Sequence, residues 1–573
     1  MRRRRAMLWA AALTGLFAFR LLFGLSLEFF SPDETQIFLM GLRYHASGAW
    51  PYFGPDVVWT MSEIPGALQA LLVGVPLEVA PVPEAAFVLL NLLSTGALAV
   101  LAWYVHRRLP SIPSWLVCGW FLTIPWTLGF STHINNSSFV LPASVAFFLG
   151  FFEAVPSLGT GTIPPAAAYA LMGAAVAWTM QLHMSWPLLL PYGFWAWASR
   201  YRDGARSLAT HALAFAAGAL VPGALLVPTL VKYGISAGSG GALRNLRPHW
   251  VNPTMVVIVL ARFFSFSSLE IARFLELDTA RRLALLARHW WLAPLAAVVW
   301  CVGVAQPIWM LREWFRSASR YREWPTLKVI VAGTVVLVYV SYWFVIERAT
   351  EAHAFYVLLP VSLIFTAYCW TFLDSQAWRR RAMAILVLNV AYHAGLAWIQ
   401  APSKSLYRNR EVVVAAIRMR QPEMFGHRRP FAIDGAPFSL QDSTRPFDPR
   451  RDVEIDGATY AVGPRGLVRW TVTLSNRNPR VAFRDVICET TYRDARGGTV
   501  LTHRTSFTDI FEPSQSRQVD ANDGFVPPFA GAAIAVIGAE ALLPATVSSA
   551  RQEDTGSISW GERRRDVRGH TRG

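Results

Sequence analysis

The sequence predicts a polytopic α-helical membrane protein that carries a C-terminal all-β sandwich domain. Of its 573 residues, 53% are hydrophobic and only 16% are charged, whereas soluble domains carry about 25% charged residues. Long apolar runs dominate the chain up to residue 400, and alternating apolar and polar residues replace them in the tail. This composition excludes a simple soluble enzyme and a disordered chain.

Eleven apolar runs approach the length that a bilayer-spanning helix needs, about 20 residues. They cover residues 7–27, 85–105, 113–131, 138–155, 164–182, 185–199, 208–231, 290–311, 327–346, 355–373 and 382–400. The run 185–199 is short, and 64–80 is a further candidate for a segment that dips into the membrane. We therefore expect about eleven transmembrane helices. The first is retained rather than cleaved, because no cleavage site followed by a soluble domain comes after it.

Basic residues in short loops mark the cytoplasmic side of a membrane protein. The clusters that fall on one side of an eleven-span arrangement are Arg2–Arg5, Arg107–Arg108, Arg200–Arg206, Arg312–Arg322 and Arg379–Arg381. The N-terminus is then cytoplasmic, and the outer segments are 28–84, 132–137, 232–289, 347–354 and everything after 400. We expect a multi-pass protein of the inner, or plasma, membrane whose C-terminal domain is periplasmic or extracellular.

The formal net charge of +16 belongs largely to these cytoplasmic clusters. A strongly basic chain can bind nucleic acid or anionic lipid, so the position of the charges decides between the two readings. Here most of the excess basic residues lie in the loops that are predicted to be cytoplasmic. The lipid bilayer is therefore the expected partner, and nucleic acid is not.

The chain beyond residue 400 predicts a separate domain. The expected parts are a linker at 401–430, a β-sandwich at 431–550 and a disordered tail at 551–573. The stretches with alternating apolar and polar residues are Leu467–Leu474, Val481–Tyr492 and Thr499–Thr508. Such spacing predicts antiparallel strands, and the pattern resembles bacterial immunoglobulin-like sandwich modules. Cys488 is the single cysteine of this tail, so the sandwich must be stable without an internal disulfide.

Acidic residues point to the first outer loop as the candidate site. Seven of the 17 acidic residues before position 400 lie between 28 and 84, although ionisable groups near a membrane are costly. Asp33 and Glu34 follow the first span within Ser31-Pro-Asp-Glu34, which also reads as the capped start of a helix. Both roles can coexist, because a capped helix start also fixes the two carboxylates. No cofactor is certain, but Asp33 and Glu34 could hold a divalent metal such as Mg or Mn, since hard cations take oxygen ligands.

At these positions residues 1–400 resemble the GT-C glycosyltransferases, in particular bacterial relatives of protein O-mannosyltransferases and of the lipid A aminoarabinose transferase. The matching elements are Asp33-Glu34, Gly48 to Tyr52, Ile64-Pro65-Gly66 and Glu351-Ala-His-Ala-Phe-Tyr356. The resemblance implies a polyprenyl-phosphate sugar donor and inverting attack by a hydroxyl of a glycan, lipid or protein acceptor. It also implies that Asp33 is the general base, while Glu34 orients the acceptor, binds a metal or supports Asp33.

A departing lipid phosphate is negatively charged, and arginine suits it because its planar fork makes two hydrogen bonds. The outer-side candidates for substrate binding are Arg43, His45, Tyr52, Lys232, Arg244, Arg247, His249, Arg262, Arg348, His353 and Tyr356. The glycine-rich loop 232–252 reads equally well as a flexible linker. His353 and Tyr356 also fit the pattern of ordinary interfacial residues.

Two other classes of function stay open at this point. A transporter or flippase of lipid-linked glycans typically shows internal repeats with broken helices in matching halves. The sequence shows no such repeat, and its acids lie in an outer loop rather than at mid-membrane. A non-catalytic envelope assembly protein would instead use the sandwich tail as its active part. Neither the sugar nor the acceptor follows from the sequence.

Overall fold

The computed structural model divides the chain into two compact units, residues 1–429 and 430–573. The residues that it describes are 2–27, 32–57, 62–234, 253–266, 268–271, 275, 279–316, 321–345, 352–403, 406, 410–420, 449–463, 466–478, 482–512 and 515–541.

The first unit consists of helices joined mostly by short turns. Its helices are α1 (Arg2–Leu27), α2 (Pro32–Ser47), α3 (Leu68–Val79), α4 (Glu84–Arg108), α5 (Ser114–Thr123), α6 (Pro125–Ser131), α7 (Val140–Ala154), α8 (Pro165–Met180), α9 (Leu190–Ala198), α10 (Ala205–Gly223), α11 (Val227–Tyr233), α12 (Pro253–Ser265), α13 (Thr279–Arg288), α14 (Leu292–Phe315), α15 (Trp324–Val345), α16 (Leu359–Cys369), α17 (Gln376–Gln400) and α18 (Arg410–Arg418). An antiparallel hairpin of β1 (Phe53–Val57) and β2 (Ser62–Pro65) separates α2 from α3.

Six of the described helical segments are long and apolar enough to cross a membrane. They are Ala6–Leu27, Glu84–Arg108, Ala205–Tyr233, Leu292–Phe315, Trp324–Ser341 and Gln376–Gln400. The shorter apolar helical segments, of 10–17 residues, are Leu68–Val79, Ser114–Thr123, Val140–Ala154, Pro165–Met180 and Ala354–Cys369. The predicted class, a polytopic helical membrane protein, is confirmed. The count of eleven spans and the side on which each loop lies stay predictions.

The predicted span 113–131 is two helices rather than one. Helix α5 ends at Thr123, and Pro125 is the first residue of α6. Between them Ile124 is extended, with ψ 148°, because the residue before a proline is driven out of the helical region. The break exposes carbonyl groups at the end of α5 inside an apolar environment, where each needs a hydrogen-bond donor.

Helices α2 and α3, which follow α1 in the chain, run side by side in the same direction. A Cβ on Gly41 would lie 2.4 Å from Cγ1 of Val73, and one on Gly74 would lie 2.7 Å from the carbonyl oxygen of Gly41. One turn later His45 meets Glu78. The two contacts, Gly41 with Gly74 and His45 with Glu78, join residues that are equally far apart in sequence. The helices are therefore parallel, and the start of α2 lies level with the start of α3.

Helix α18 lies within 401–430, the segment for which the sequence predicts a linker. Its Val413, Ala416 and Ile417 are buried, while Arg410 and Arg418 are exposed. The helix is therefore amphipathic, and its apolar side is covered within the first unit. The predicted domain boundaries themselves stay predictions.

The second unit is a sandwich of two three-stranded antiparallel sheets. Its strands are β3 (Val453–Val462), β4 (Leu467–Asn476), β5 (Phe483–Arg493), β6 (Thr499–Phe507), β7 (Ser516–Phe525) and β8 (Gly531–Ala541). The sheets have the orders β3-β4-β7 and β6-β5-β8. Inward residues of both sheets, including Trp470, Val472 and Cys488, form one core. The predicted antiparallel sandwich is confirmed, and the predicted disordered tail 551–573 lies outside the described residues.

A chain of polar side chains crosses the sandwich core. The indole N–H of Trp470 donates to the hydroxyl of Tyr492 (2.8 Å), and this hydroxyl donates to Asp523. His503 Nδ1 lies 2.7 Å from the other carboxylate oxygen of Asp523. Burial alone would raise the pKa of the Asp523 carboxyl, but His503 and Tyr492 outweigh it, so the pKa is lowered.

Candidate active site

The start of helix α2 holds the two carboxylates that the sequence singles out. The helix begins at Pro32, which places Asp33 and Glu34 in its first turn, directly after α1 ends at Leu27. Glu34 is buried, with 4% of its surface exposed. The side chain of Asp33 and the predicted cap Ser31 lie outside the described residues. Unpaired backbone N–H groups at a helix start favour negative charge, so this position stabilises both carboxylates.

Glu34 lies beside a histidine of the loop that follows α6. His133 Nε2 is 3.7 Å from Glu34 Oε1, and their side chains are 12% and 5% exposed. The loop that carries His133 is shaped by Asn135, whose Oδ1 accepts hydrogen bonds from the N–H and hydroxyl of Ser137. A carboxylate and an imidazole in a mostly dry environment form a pair that can hold or move one proton.

Arg20 fixes the segment that leads into this loop. Its fully buried guanidinium donates to the carbonyl oxygens of Leu122, Thr127 and Ser131 and to the hydroxyls of Ser94 and Ser131. The three carbonyls belong to the last turns of α5 and α6, where the helix dipole favours a cation. One side chain of α1 thus donates hydrogen bonds to both halves of the broken helix. It thereby fixes the position of the chain just before His133.

Two close contacts complete this support. A Cβ on Gly24 would lie 2.0 Å from the carbonyl oxygen of Thr132, so α1 approaches the loop at a distance that only glycine allows. Asn91 Nδ2 on α4 donates to the same carbonyl at 2.9 Å. The backbone next to His133 is therefore held from two helices.

Tyr356, predicted from the late outer loop, reaches the same segment. Its fully buried ring lies 5.9 Å from that of Trp126 and 5.6 Å from that of Phe130, measured between ring centroids. Arg20 and Ser131 are the polar neighbours of its hydroxyl. Glu34 and Tyr356, more than 300 residues apart in sequence, thus both lie against residues 126–133.

The start of α3 contributes a glutamine that the sequence did not single out. Gln69 is fully buried in the first turn of α3, and neither its Nε2 nor its Oε1 has a hydrogen-bond partner in the part of the chain that the structure describes. Buried amides are rarely left unsatisfied, because each lost hydrogen bond is costly. Gln69 therefore marks a polar position at the start of α3, close to the level of Glu34 on α2.

Tyr52 belongs to an aromatic cluster with a lysine. Its ring lies 5.4 Å from that of Tyr233, and the ammonium of Lys232 lies 4.2 Å from its centroid. The carbonyl of Tyr52 accepts hydrogen bonds from Gly66 N–H and the Thr229 hydroxyl, which tie the stretch before β1 to α3 and α11. Aromatic faces and a cation side by side suit a ligand with both apolar faces and negative charge.

The remaining predicted binding residues divide into three groups. His45 and Arg43 lie at the far end of α2, where His45 is buried in protein contacts and Arg43 is exposed. Arg262 lies near the end of α12. Arg244, Arg247, His249 and Arg348 lie outside the described residues, as does the side chain of His353 in the turn Ala352–Leu358.

Sequence reasoning could have found Arg20 but not Gln69. A charged residue within an apolar span is itself a signal, since such residues are rare and functional or structural when present. A glutamine in a loop helix carries no such signal. Within the described residues, no group of three or more His, Cys, Asp or Glu side chains is placed to hold a metal ion.

No protein-family model matches the sequence, and no curated protein matches it. Among solved structures, the chain is similar to ArnT from Cupriavidus metallidurans in the apo state, at 14% identity and a TM-score of 0.43 over 74% of this chain and 76% of that one. It is also similar to arabinosyltransferase EmbB from Mycobacterium smegmatis, at 11% identity and a TM-score of 0.36 over 93% of this chain and 64% of that one. Both are GT-C glycosyltransferases. Because both TM-scores lie below 0.5, the function of this chain has to be argued from its own residues.

Proposed function

We propose that the protein is a membrane glycosyltransferase that moves a sugar from a polyprenyl-phosphate donor to an acceptor hydroxyl on the outer face of the membrane. The observation that carries the proposal is the first turn of α2, where Asp33 and Glu34 directly follow an apolar helix of membrane-spanning length and Glu34 lies buried beside His133. This position is at the end of a candidate span, where the phosphate of a lipid-linked donor would lie.

In the proposed reaction the oxygen of the acceptor hydroxyl attacks the anomeric carbon of the sugar. The bond from that carbon to the phosphate oxygen breaks, and polyprenyl phosphate leaves with the bonding electron pair. Asp33 accepts the hydroxyl proton as general base, which assists attack from the opposite face and gives inversion. The departing phosphate gains one negative charge, and the carboxylate of Asp33 loses one when it takes up the proton, so charge is conserved.

Glu34 and His133 have a supporting role in this scheme. Glu34 is too buried to serve as a freely solvated base, so it orients the acceptor or His133 within hydrogen-bond reach of the reacting hydroxyl. The rigid support of the loop by Arg20 favours this role, because a catalytic pair must be held close to its working geometry.

Lys232 and Tyr52 are the described groups that suit the donor. The aromatic ring can stack on a sugar face, and the ammonium can meet the phosphate as it leaves. Both belong to the cluster at the end of α11, and Gly66 N–H links this cluster to the residues just before α3. The arginines of loop 232–252 and Arg348 extend the proposal to positions beyond the described residues.

The decisive experiment replaces Asp33 by Asn in the full-length protein in its own host and measures the surface glycans. General-base catalysis contributes about 10²- to 10⁴-fold, so we expect one sugar to be lost from a surface glycan while protein level stays normal. Asp203→Asn is the matched control, because Asp203 is an exposed acid paired with Arg200. Retained transfer in Asp33→Asn would contradict the assignment of the base.

A panel of polyprenyl-phosphate sugars, offered to the purified full-length protein in proteoliposomes, then separates transfer from transport. A transferase releases polyprenyl phosphate in the presence of an acceptor. A flippase moves the intact lipid-linked sugar between leaflets without releasing it, and this result would replace the proposed function.

A further inference from the structure

His45 at the C-terminal end of α2 has an unusual set of partners. The residue is 3% exposed. Its Nδ1 lies 2.9 Å from Oε1 of Glu78, and its Nε2 lies 3.1 Å from the backbone carbonyl oxygen of Ile417. Both distances are those of ordinary hydrogen bonds. The sequence predicted this histidine as a substrate ligand, but both of its ring nitrogens are engaged within the protein.

Both partners of His45 are acceptors. An ionised carboxylate and a backbone carbonyl can only accept a hydrogen bond, whereas a neutral imidazole has one donating and one accepting nitrogen. The neutral ring can therefore satisfy only one of the two contacts, and it would direct a lone pair at the other oxygen. The imidazolium form donates from both nitrogens and satisfies both contacts.

The contact of Ile417 with His45 joins α18 to the first outer loop. The buried Val413, Ala416 and Ile417 face inward from α18. Arg410, at the start of the helix, lies 2.6 Å from Glu84. Arg420, just beyond its end, donates to the carbonyl oxygen of His45 and lies 3.0 Å from Oε2 of Glu78.

The charged groups around His45 are compatible with a protonated imidazole ring. Glu78 on α3 is the anion that faces the ring, and Arg420 is the cation that shares this carboxylate. Arg418 on α18 and Arg43 on α2 are both exposed. Arg420 also holds a left-handed backbone conformation, with φ 54°, which non-glycine residues adopt only when surrounding contacts stabilise it.

We infer that His45 in its cationic form clasps helix α18 across the ends of α2 and α3, so that α18 is a strap whose attachment depends on protonation. Raising the pH removes the proton and leaves an imidazole lone pair opposite either Glu78 or the Ile417 carbonyl. The clasp then depends on Arg420, on the exposed Arg410–Glu84 pair and on the apolar side of α18 alone.

The strap acts on the helix that carries the candidate site. Eleven residues separate Glu34 from His45, which corresponds to about 16 Å along α2. Because α2 is one helix in register with α3, fixing its C-terminal end restrains the orientation of its N-terminal end. His45 is thus a positioning residue rather than a substrate ligand.

Nitroxide labels on the full-length protein in detergent can test this clasp without any sugar donor, so the test is independent of the proposed function. Val79→Cys on α3 and Arg418→Cys on α18 place labels at exposed positions outside the clasp. The exposed Cys301 is replaced by Ser, while Cys118, Cys369 and Cys488 are buried. Pulsed electron spin resonance then gives the distance distribution between the labels at pH 5 and pH 8.

We expect one narrow distance at pH 5 and a second, longer population at pH 8. Losing one hydrogen bond to a charged group corresponds to roughly a tenfold rise in the separated fraction. His45→Gln should abolish the response to pH, since an amide does not titrate. His106→Gln is the matched control and should keep the response, because His106 contacts a single carbonyl, that of Ile112.

Two results would overturn the inference. One is an identical distance distribution at pH 5 and pH 8 in the labelled protein that retains His45, and this measurement needs no further variant. The other is a response to pH that persists in His45→Gln, which would assign the titration to another group.

Discussion

The two ends of helix α2 use a glutamate and a histidine in opposite ways. At the C-terminal end, His45 lies 2.9 Å from Glu78 and 3.1 Å from a backbone carbonyl, and Arg420 shares the same carboxylate. At the N-terminal end, His133 Nε2 lies 3.7 Å from Glu34 Oε1, which is longer than a hydrogen bond. The first pair is joined by a direct hydrogen bond, whereas the second is a longer contact between the two side chains.

This difference bears on which pair can do chemistry. A histidine whose two nitrogens are both hydrogen-bonded within the protein has no atom left for a substrate, and its protonation state affects attachment instead. We propose proton handling for Glu34 and His133 because they lie in the first turn of α2 and in the loop beside it. A glutamate and a histidine therefore have a structural role at the C-terminal end of α2, whereas we propose a catalytic role for the pair at its N-terminal end.

The largest expected effect is a difference in the rate of sugar transfer between a variant at the N-terminal end of α2 and a variant at its C-terminal end. We expect Glu34→Gln to lower the rate of sugar transfer about a thousandfold, within the range for positioned acid–base groups, because it removes the charge beside His133. Glu78→Gln should change the rate less than about threefold, since its carboxylate only closes the clasp. Transfer rates of the two full-length variants, at equal protein level, make the comparison. Equal losses in both variants would remove the distinction between the two ends.

The sequence predicts where α2 begins but not which contacts hold its end, for a physical reason. Ser31-Pro-Asp-Glu34 is a local signal, and the helix does begin at Pro32. The role of His45 depends on Ile417, 372 positions away, and no local pattern encodes such a contact. The sequence likewise predicts a linker where α18 lies, because a short amphipathic stretch is distinguished from a linker only by the surface that covers it.

The same reasoning explains the broken helix at 113–131 and the tail. Apolar length predicts a span at 113–131, whereas the break requires both Pro125 and a donor for the freed carbonyls, and that donor, Arg20, lies on another helix. The strands of the tail, by contrast, show their alternation in the local sequence. Local periodicity was therefore predictable, and contacts between distant segments were not.

The second expected effect is on the stability of the break between α5 and α6, which precedes the loop that carries His133. Replacing Arg20 by Met should lower the free energy of unfolding by about 3 kcal/mol, because carbonyls of Leu122, Thr127 and Ser131 lose a buried donor. Thermal unfolding of the full-length protein in detergent measures this loss. Arg20→Lys should recover only part of it, since an ammonium cannot reach both half-helices as a planar guanidinium does.

Hydrogen exchange of the same variants sharpens the comparison between the ends of α2. Amides of the loop that carries His133 should exchange faster in Arg20→Met, while those of α18 should be unchanged, because the hydrogen bonds of Arg20 go to α4, α5 and α6, next to that loop. Faster exchange of α18 to the same degree would show that the two ends are not independent.

The smallest expected effect concerns a third acid–histidine pair, Asp523 with His503 in the sandwich. Its 2.7 Å distance is at least as short as that between His45 and Glu78, so by the criterion of distance it should stabilise structure and take no part in transfer. The folded state lowers the pKa of the Asp523 carboxyl below its ordinary 3.8. Its stabilisation is therefore fully present above about pH 4 and is lost as the pH falls through the lowered value. Asp523→Asn should remove about 1 kcal/mol of stability at neutral pH and reduce the extra loss on acidification.

Hydrogen exchange of β4 to β7 in the full-length protein, followed from pH 6 down to pH 3, measures this contribution, and the exposed Asp520→Asn is its matched control. Sugar transfer at neutral pH should change less than about twofold in Asp523→Asn, in keeping with a structural pair. A large loss of transfer in a variant whose sandwich remains folded would mean that a short distance between the two side chains does not distinguish structural pairs from catalytic ones. The assignment of Glu34 and His133 would then need support from the reaction itself.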